Sequence, residues 1–154
     1  MDKVFMERAI ALAKQAQTFD EVPVGAVIVK DNKIIAEGFN HKEIDNCATR
    51  HAEIEVIEKA SKVLDNWYLE GCELYVTLEP CMMCTGAIIN SRIDYVYFGA
   101  YDYKTGCAGS VYNLLCDNHF NHQPIVVGGV LEEECSTLLS EFFKKKRKEK
   151  KENN

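Results

Sequence analysis

The sequence predicts an α/β domain in which helices cover a mixed sheet. Two observations lead there. Apolar, β-branched runs alternate with segments of helical periodicity after an opening hairpin, and no repeat or Pro/Gly/Ser linker interrupts the 154 residues. A chain of this length can bury a substantial core. One domain is therefore expected over 1–154, ending in a basic helix or tail from about 144. Strand order is not readable from such a pattern.

Residues Asp2 to Gln17 place Phe5, Ala9, Leu12, Ala13 and Ala16 on one helical face, with Asp2 as N-cap. Val24 to Lys30 reads as a strand, Asp31-Asn32-Lys33 as a turn, and Ile34 to Asn40 as the returning strand. His41 to Thr49 is polar and loop-like. Thr49 is placed to cap a helix that carries Ile54, Ile57 and Val63 and ends near Leu64. Cys72 to Leu78 is a short strand. Pro80 then suits a helix start, where the N–H it lacks has no partner, and the helix runs over Met82 to Asn90. Ile93 to Gly99 and Ile125 to Gly128 read as further strands, with one helical turn near Tyr112 to Leu115 between them. Leu131 to about Lys148 closes the chain as a helix with Leu131, Cys135, Leu138, Leu139 and Phe142 on its apolar face. Trp67 and Tyr68 read as packing residues.

Charge is unevenly spread. The net charge is −6, yet seven basic and two acidic residues follow from Lys144, so that segment carries +5 against −11 for the rest. Such segregation points to a polyanionic partner, although a lysine run at a chain end is commonly just solvated. No apolar run approaches the ~20 residues that cross a bilayer, and no apolar signal core follows Met1. A cytoplasmic protein without membrane contact is expected. Seven cysteines, an odd number that includes one Cys-x-x-Cys, fit a reducing compartment. Cys72, Cys107, Cys116 and Cys135 read as buried free thiols.

Chemistry gathers at two helix starts. Cys81 and Cys84 are three apart, share a face and can hold one ion, and the positive end of the helix favours their thiolates. His51 opens the preceding helix and offers a neutral nitrogen. One imidazole and two thiolates suit zinc better than magnesium or calcium. Three ligands leave a position for water, as catalytic zinc sites do; a structural site needs a fourth, for which Cys47, Cys72 and His41 are candidates. Glu53 is available as an acid/base beside such a water. Residues two apart do not face each other on a regular helix, so His51 and Glu53 both reach one metal only if it lies beyond the helix end. His-x-Glu alone carries little weight, and Pro-Cys-x-x-Cys alone also fits redox proteins. The pair, each opening a helix, is specific. Read alone, Asn40 ends a strand, and Asp102 and Lys104 are turn residues. On the helical pattern Phe142 faces the core and Phe143 lies nearer the surface beside the lysines, where an aromatic can stack on bases while the cations meet phosphate. A core or dimer-contact role for both is the other reading.

These motifs stand with Val22-Pro23-Val24-Gly25-Ala26-Val27, Gly86-Ala87, Ser91-Arg92-Ile93, Gly99-Ala100, Lys104-Thr105-Gly106, Ala108-Gly109-Ser110 and Asn121-His122. Together they resemble the bacterial tRNA-specific adenosine deaminases of the cytidine deaminase-like superfamily. The resemblance implies a three-layer α/β/α fold with about five strands and one Zn2+ per subunit on His51, Cys81 and Cys84. It implies Glu53 as proton shuttle in hydrolytic deamination, the established chemistry of zinc deaminases. It further implies that Asn40 contacts a flipped nucleotide, and that Asp102, Lys104, Asn121, Phe142 and Phe143 line the path of a tRNA anticodon stem-loop. The implied substrate is the wobble adenosine, with an arginine tRNA bearing the ACG anticodon as the expected species, and the implied assembly is a homodimer. Glu79 is either a charge near a helix start or an orienter of the zinc ligands.

Two other readings stay open. A deaminase of free cytidine, deoxycytidylate or guanine would need neither the basic tail nor the Asp102-to-Ser110 loop. A non-catalytic zinc protein would show four protein ligands.

Overall fold

The computed structural model describes residues 1–153. Helix α1 spans Lys3–Thr18, and the Asp2 carboxylate caps it by accepting from the Val4 N–H at 3.0 Å. All five apolar positions expected to face inward are buried. Strands β1 (Gly25–Lys30) and β2 (Lys33–Phe39) form the hairpin, joined by Asp31 and Asn32 with φ of 50° and 63°. Two successive positive φ values make a type I′ turn, whose twist matches the flanking strands and which Asp and Asn tolerate. At Gly25 the sheet meets α1 so closely that a Cβ would lie 2.0 Å from the Ala9 carbonyl oxygen. Only glycine lets the helix lie there.

Helix α2, Ala52–Leu64, departs from expectation at its start and on its face. Thr49 does not cap it: His51 holds the N-cap position without a side-chain cap, and the Thr49 hydroxyl lies 3.3 Å from the Cys47 sulfur instead. The buried stripe is Ala52, Val56 and Ala60, which leaves Ile54 and Ile57 half-buried and Val63 exposed. These three buried positions are four residues apart and so share one face of the helix. Trp67 and Tyr68, expected to pack inside, lie edge to face in the turn after α2, and Trp67 is 65% exposed.

Strand β3 (Glu73–Leu78), helix α3 (Met82–Ser91), strand β4 (Tyr95–Ala100), a single 3-10 turn (Leu114–Cys116), strand β5 (Ile125–Val127) and helix α4 (Glu132–Glu152) complete the chain. The sheet order is β2-β1-β3-β4-β5. β1 is antiparallel to β2 and β3, whereas β3, β4 and β5 are parallel, which makes the mixed sheet the sequence implied. Ala26, Ile28, Leu74, Val76, Val96 and Phe98 face α2 and α3; Val27, Val29, Tyr75 and Tyr97 face α1 and α4. The result is three layers, α/β/α, and covering both faces is why the inner strands read as unbroken apolar runs.

Cys72, Cys107 and Cys135 are buried thiols as expected, but Cys116 is exposed, because the 3-10 turn directs Leu115 inward and leaves its neighbour outside. Helix α4 continues past Lys148 and carries the basic segment as ordered helix. Its acidic first turn (Glu132, Glu133, Glu134) and basic last turn (Lys150, Lys151) oppose the helix poles.

Candidate active site

Parallel β3 and β4 end together at Leu78 and Ala100, and the site lies beyond those carboxyl ends, the usual place in an α/β sheet. From β3 the chain passes through Glu79 and Pro80 into α3, with Cys81 at the N-cap position and Cys84 in the first turn. His51 holds the N-cap position of α2 in extended conformation, φ −76° and ψ 155°. Neither residue caps its helix. Instead His51 Nδ1 lies 3.7 Å from Cys81 Sγ and 3.5 Å from Cys84 Sγ. A tetrahedral zinc with Zn–S of about 2.3 Å and Zn–N of about 2.0–2.1 Å sets a sulfur–nitrogen edge of about 3.6 Å. The three donors fit that ion, and two helix N-termini aim at it. Since His51 is not yet helical, its imidazole leaves the end of α2 while Glu53 follows from the first turn, so residues two apart can approach one ion beyond the helix end.

Protons are shared within the cluster. The Cys81 thiol is lowered to about 4, chiefly by a hydrogen bond from Cys84 and also by one from His51. Cys84 is correspondingly raised, by donating to Cys81 and by burial, and the contact with Cys81 raises His51. A divalent cation can take the place of those shared protons. No fourth His, Cys, Asp or Glu joins the three among the described residues. His41 Nδ1 is 2.7 Å from Glu55 and its ring stacks on Phe39, Cys47 is engaged with Thr49, and Cys72 is buried just before the opposite end of β3.

The open side of the cluster meets a cavity of about 170 Å3 lined by Val22, Val24, Asn40, Lys42, His51, Ala52, Glu53, Leu78, Glu79, Cys81, Asp102 and Thr105. Glu53 is 4% exposed. Burial pushes its carboxyl above the usual carboxylate range, against hydrogen bonding to its own backbone and the nearby His51. A carboxyl raised in this way is suited to giving and taking a proton as a general acid–base group.

Residues 1–100 match the family described as the cytidine and deoxycytidylate deaminase zinc-binding region. The chain belongs to this deaminase family. It is 52% identical over 139 residues to a tRNA-specific adenosine deaminase of Bacillus subtilis, covering 90% of this chain and 86% of the relative. To a protein of the same name from Haemophilus influenzae it is 48% identical over 140 residues, 90% of this chain and 81% of the relative. A solved structure from studies of A-to-I editing by tRNA:A34 deaminases at the wobble position of transfer RNA matches with a TM-score of 0.87 at 42% identity, covering 90% of this chain and 100% of that one. A guanine deaminase of Bacillus subtilis gives 0.62 at 44% identity over 66% of each chain. Membership of the deaminase family and the His51, Cys81, Cys84 cluster agree on one zinc per subunit.

Around the deaminase cluster the other expected residues fall in different places. Asn40, 7% exposed, follows β2 and lines the cavity; its Oδ1 accepts from the Lys42 N–H at 3.2 Å and its Nδ2 donates to the Val22 carbonyl at 3.4 Å. Asp102 also lines it, with the carboxylate turned into its own loop to accept from the N–H groups of Lys104 and Thr105 and from the Thr105 hydroxyl. Lys104 is exposed, outside the cavity lining. Phe142 is buried and Phe143 is 43% exposed, and both line a neighbouring hollow with Phe19, Asp20 and Lys146. The two hollows share Val22, Asn40 and Lys42, so one groove runs from the cluster to α4.

Asn121 does not join them. It is exposed in the segment leading into β5, where His122 Nε2 lies 2.6 Å from the Ile93 carbonyl. Because β5 is parallel to β4, the chain must return to the amino end of the strands before β5 begins, and that is the end away from Cys81.

Three residues of the site are poorly legible in the sequence. Lys42 sits where the two hollows join. Glu21, fully buried, accepts from the N–H groups of Glu43 and Ile44 at 2.9 and 2.6 Å and holds the loop after β2. Glu79, 2% exposed, accepts from the N–H groups of Asp102, Ala108 and Ser110, each at 3.0 Å, and from the Ser110 hydroxyl. Its hydrogen bonds run to the loop after β4, a set of partners that neither of its expected roles names. The available signal was a lone carboxylate beside an apolar run, and its partners are main-chain groups remote in sequence.

Proposed function

We propose that this chain is a zinc-dependent hydrolase that converts adenosine to inosine at the first, wobble position of a tRNA anticodon. The observation that carries this reading is the three-ligand cluster open to a cavity beside a buried Glu53. Zinc, when bound, supplies a water of near-neutral pKa. Glu53 takes the proton of the attacking water, passes it to a ring nitrogen of the base, and later protonates the departing amine. That use of a glutamate is already known for zinc deaminases. Asn40, with its amide fixed by Val22 and Lys42, presents its remaining hydrogen-bonding capacity to the flipped nucleotide. Asp102 walls the cavity, Lys104 meets phosphate at its rim, and Phe142 supports an exposed Phe143 against the unpaired bases. Asn121 is an outlying contact of the RNA, remote from the reacting base.

A tRNA substrate favours this reading over a free base because the groove leads to a basic, aromatic-bearing helix that a small metabolite does not need. The expected species is an arginine tRNA with the ACG anticodon. One domain over 1–154 would hold both the cluster and the groove. The protein would act in the cytoplasm, where tRNA is processed, and no described helix is long and apolar enough to cross a membrane. Exposed Val63, Trp67 and Met82 on the α2/α3 side favour a homodimer, which sedimentation at twice the monomer mass would bear out.

The deciding experiment incubates purified protein with that arginine tRNA, free cytidine and free guanine. Inosine confined to the first anticodon position is expected. Ammonia released from a free base or nucleoside, without inosine in tRNA, would overturn the substrate and keep the zinc chemistry.

A further inference from the structure

We propose that Glu79 is the positioning residue of the substrate-facing loop: its carboxylate fixes the 102–110 segment beside the zinc ligands and so sets how firmly the RNA is held. The inference rests on the proposed function for its substrate.

Glu79 is a buried acid for which no cation supplies an ion pair among the described residues. Burying a carboxylate in that way is costly unless hydrogen bonds replace its hydration. Here four donors do so, two on each oxygen. Oε1 accepts from the Asp102 N–H and the Ser110 hydroxyl, and Oε2 accepts from the N–H groups of Ala108 and Ser110. Hydrogen bonds to an ionised acceptor are about twice as strong as neutral ones, and these reach both ends of the loop at once.

The anchor is also tied to the zinc-ligand segment. The Glu79 N–H donates to Ala100 at 2.8 Å, and the Cys107 N–H donates to the carbonyl of Pro80, next to Cys81, at 2.9 Å. Gly106 packs against the carboxylate so tightly that a Cβ would lie 2.4 Å from its carboxyl carbon. The main chain of Asp102 is thus placed by Glu79, and the Asp102 side chain in turn shapes Lys104 and Thr105.

An amide cannot substitute for this acid. In either orientation, the NH2 group of a glutamine would face at least one backbone N–H: that of Asp102 on one side, or those of Ala108 and Ser110 on the other. Shape is kept and acceptance is lost.

The test uses the zinc-loaded full chain carrying Glu79→Gln. An arginine anticodon stem-loop with the ACG anticodon is the substrate probe. Zinc per chain is expected to stay at one. KM for the stem-loop should rise about ten-fold or more, the scale of one lost charge-assisted hydrogen bond, with a smaller change in kcat. Amide hydrogen exchange at Asp102, Ala108 and Ser110 should accelerate to a similar degree. Ser110→Ala removes only the hydroxyl donor, should shift KM and exchange in the same direction by less, and carries the test if Glu79→Gln does not fold. Unchanged KM and unchanged exchange would overturn the proposal. So would zinc loss with the loop still protected, which would make Glu79 an orienter of the ligands. If the unaltered chain makes no inosine, the proposed function falls, and the exchange measurement still decides the role of Glu79.

Discussion

His51 Nδ1 and Cys84 Sγ lie 3.5 Å apart although 33 residues separate them, and the contact joins the starts of α2 and α3. A metal bound there ties two helices of one layer together, so its free energy of binding is also folding free energy. Chelation is therefore expected to lower both activity and the thermal midpoint, with recovery on adding zinc and none on adding magnesium. A midpoint indifferent to chelation would separate the metal from the fold.

Replacing Glu53 by Gln removes the proton carrier and leaves the three ligands. Turnover should fall by about 10²–10⁴-fold or more, the range for a general acid–base group, at unchanged zinc content. Near-normal rates in a zinc-replete variant would assign the proton transfers elsewhere.

Truncation from Lys144 removes the exposed cations of α4 beyond Phe143. If they meet phosphate, tRNA affinity should drop and the slope of log K against log salt should flatten, since fewer counterions are released on binding. The same affinity and slope with and without the segment would mark it as a solvated helix end.

Stability should fall on the alkaline side. Burial pushes the Cys135 thiol up from 9.0 to about 12 and the Tyr75 phenol from 10.0 to about 12. Both folded-state values lie above the unfolded ones, so the stability linked to Cys135 is fully present below about pH 9 and is lost as pH climbs toward 12, with Tyr75 adding its share above 10. The slope for one such group approaches about 1.4 kcal/mol per pH unit. Urea midpoints at several alkaline pH values should decline, and the decline should be shallower in Cys135→Ala. Parallel curves for the two proteins would place the loss in other groups.

The elements and the zinc ligands were legible because their causes are local. Asp2 caps its own helix, Asp31 and Asn32 shape their own turn, and Cys81 and Cys84 are brought together by one helical turn. The inner face of α2 differs from the expectation because a few apolar residues in a short helix fit more than one stripe: the sheet meets Ala52, Val56 and Ala60, and Ile54 and Val63 fall outside that stripe. Thr49 looked like a cap, but the polypeptide enters α2 through His51, whose side chain is turned to the cysteines. Glu21 is not legible, and Glu79 is legible only as a charge, because their partners, mostly main-chain N–H groups, lie more than 20 residues away. That Asn121 lies apart from the cavity is not readable from a list of motifs, which does not say that β5 runs parallel to β4.

The layering of the fold separates reaction from selection. His51, Glu53, Cys81 and Cys84 belong to the α2/α3 side, while Phe142 and Phe143 belong to α4 on the opposite face of the sheet, and the two meet past the start of β1 and the end of β2, around Val22, Asn40 and Lys42. Changes on α4 can therefore accumulate without disturbing the metal. Grip on the outer RNA can thus be retuned from α4, while what touches the reacting base stays bound up with the residues that hold the ion.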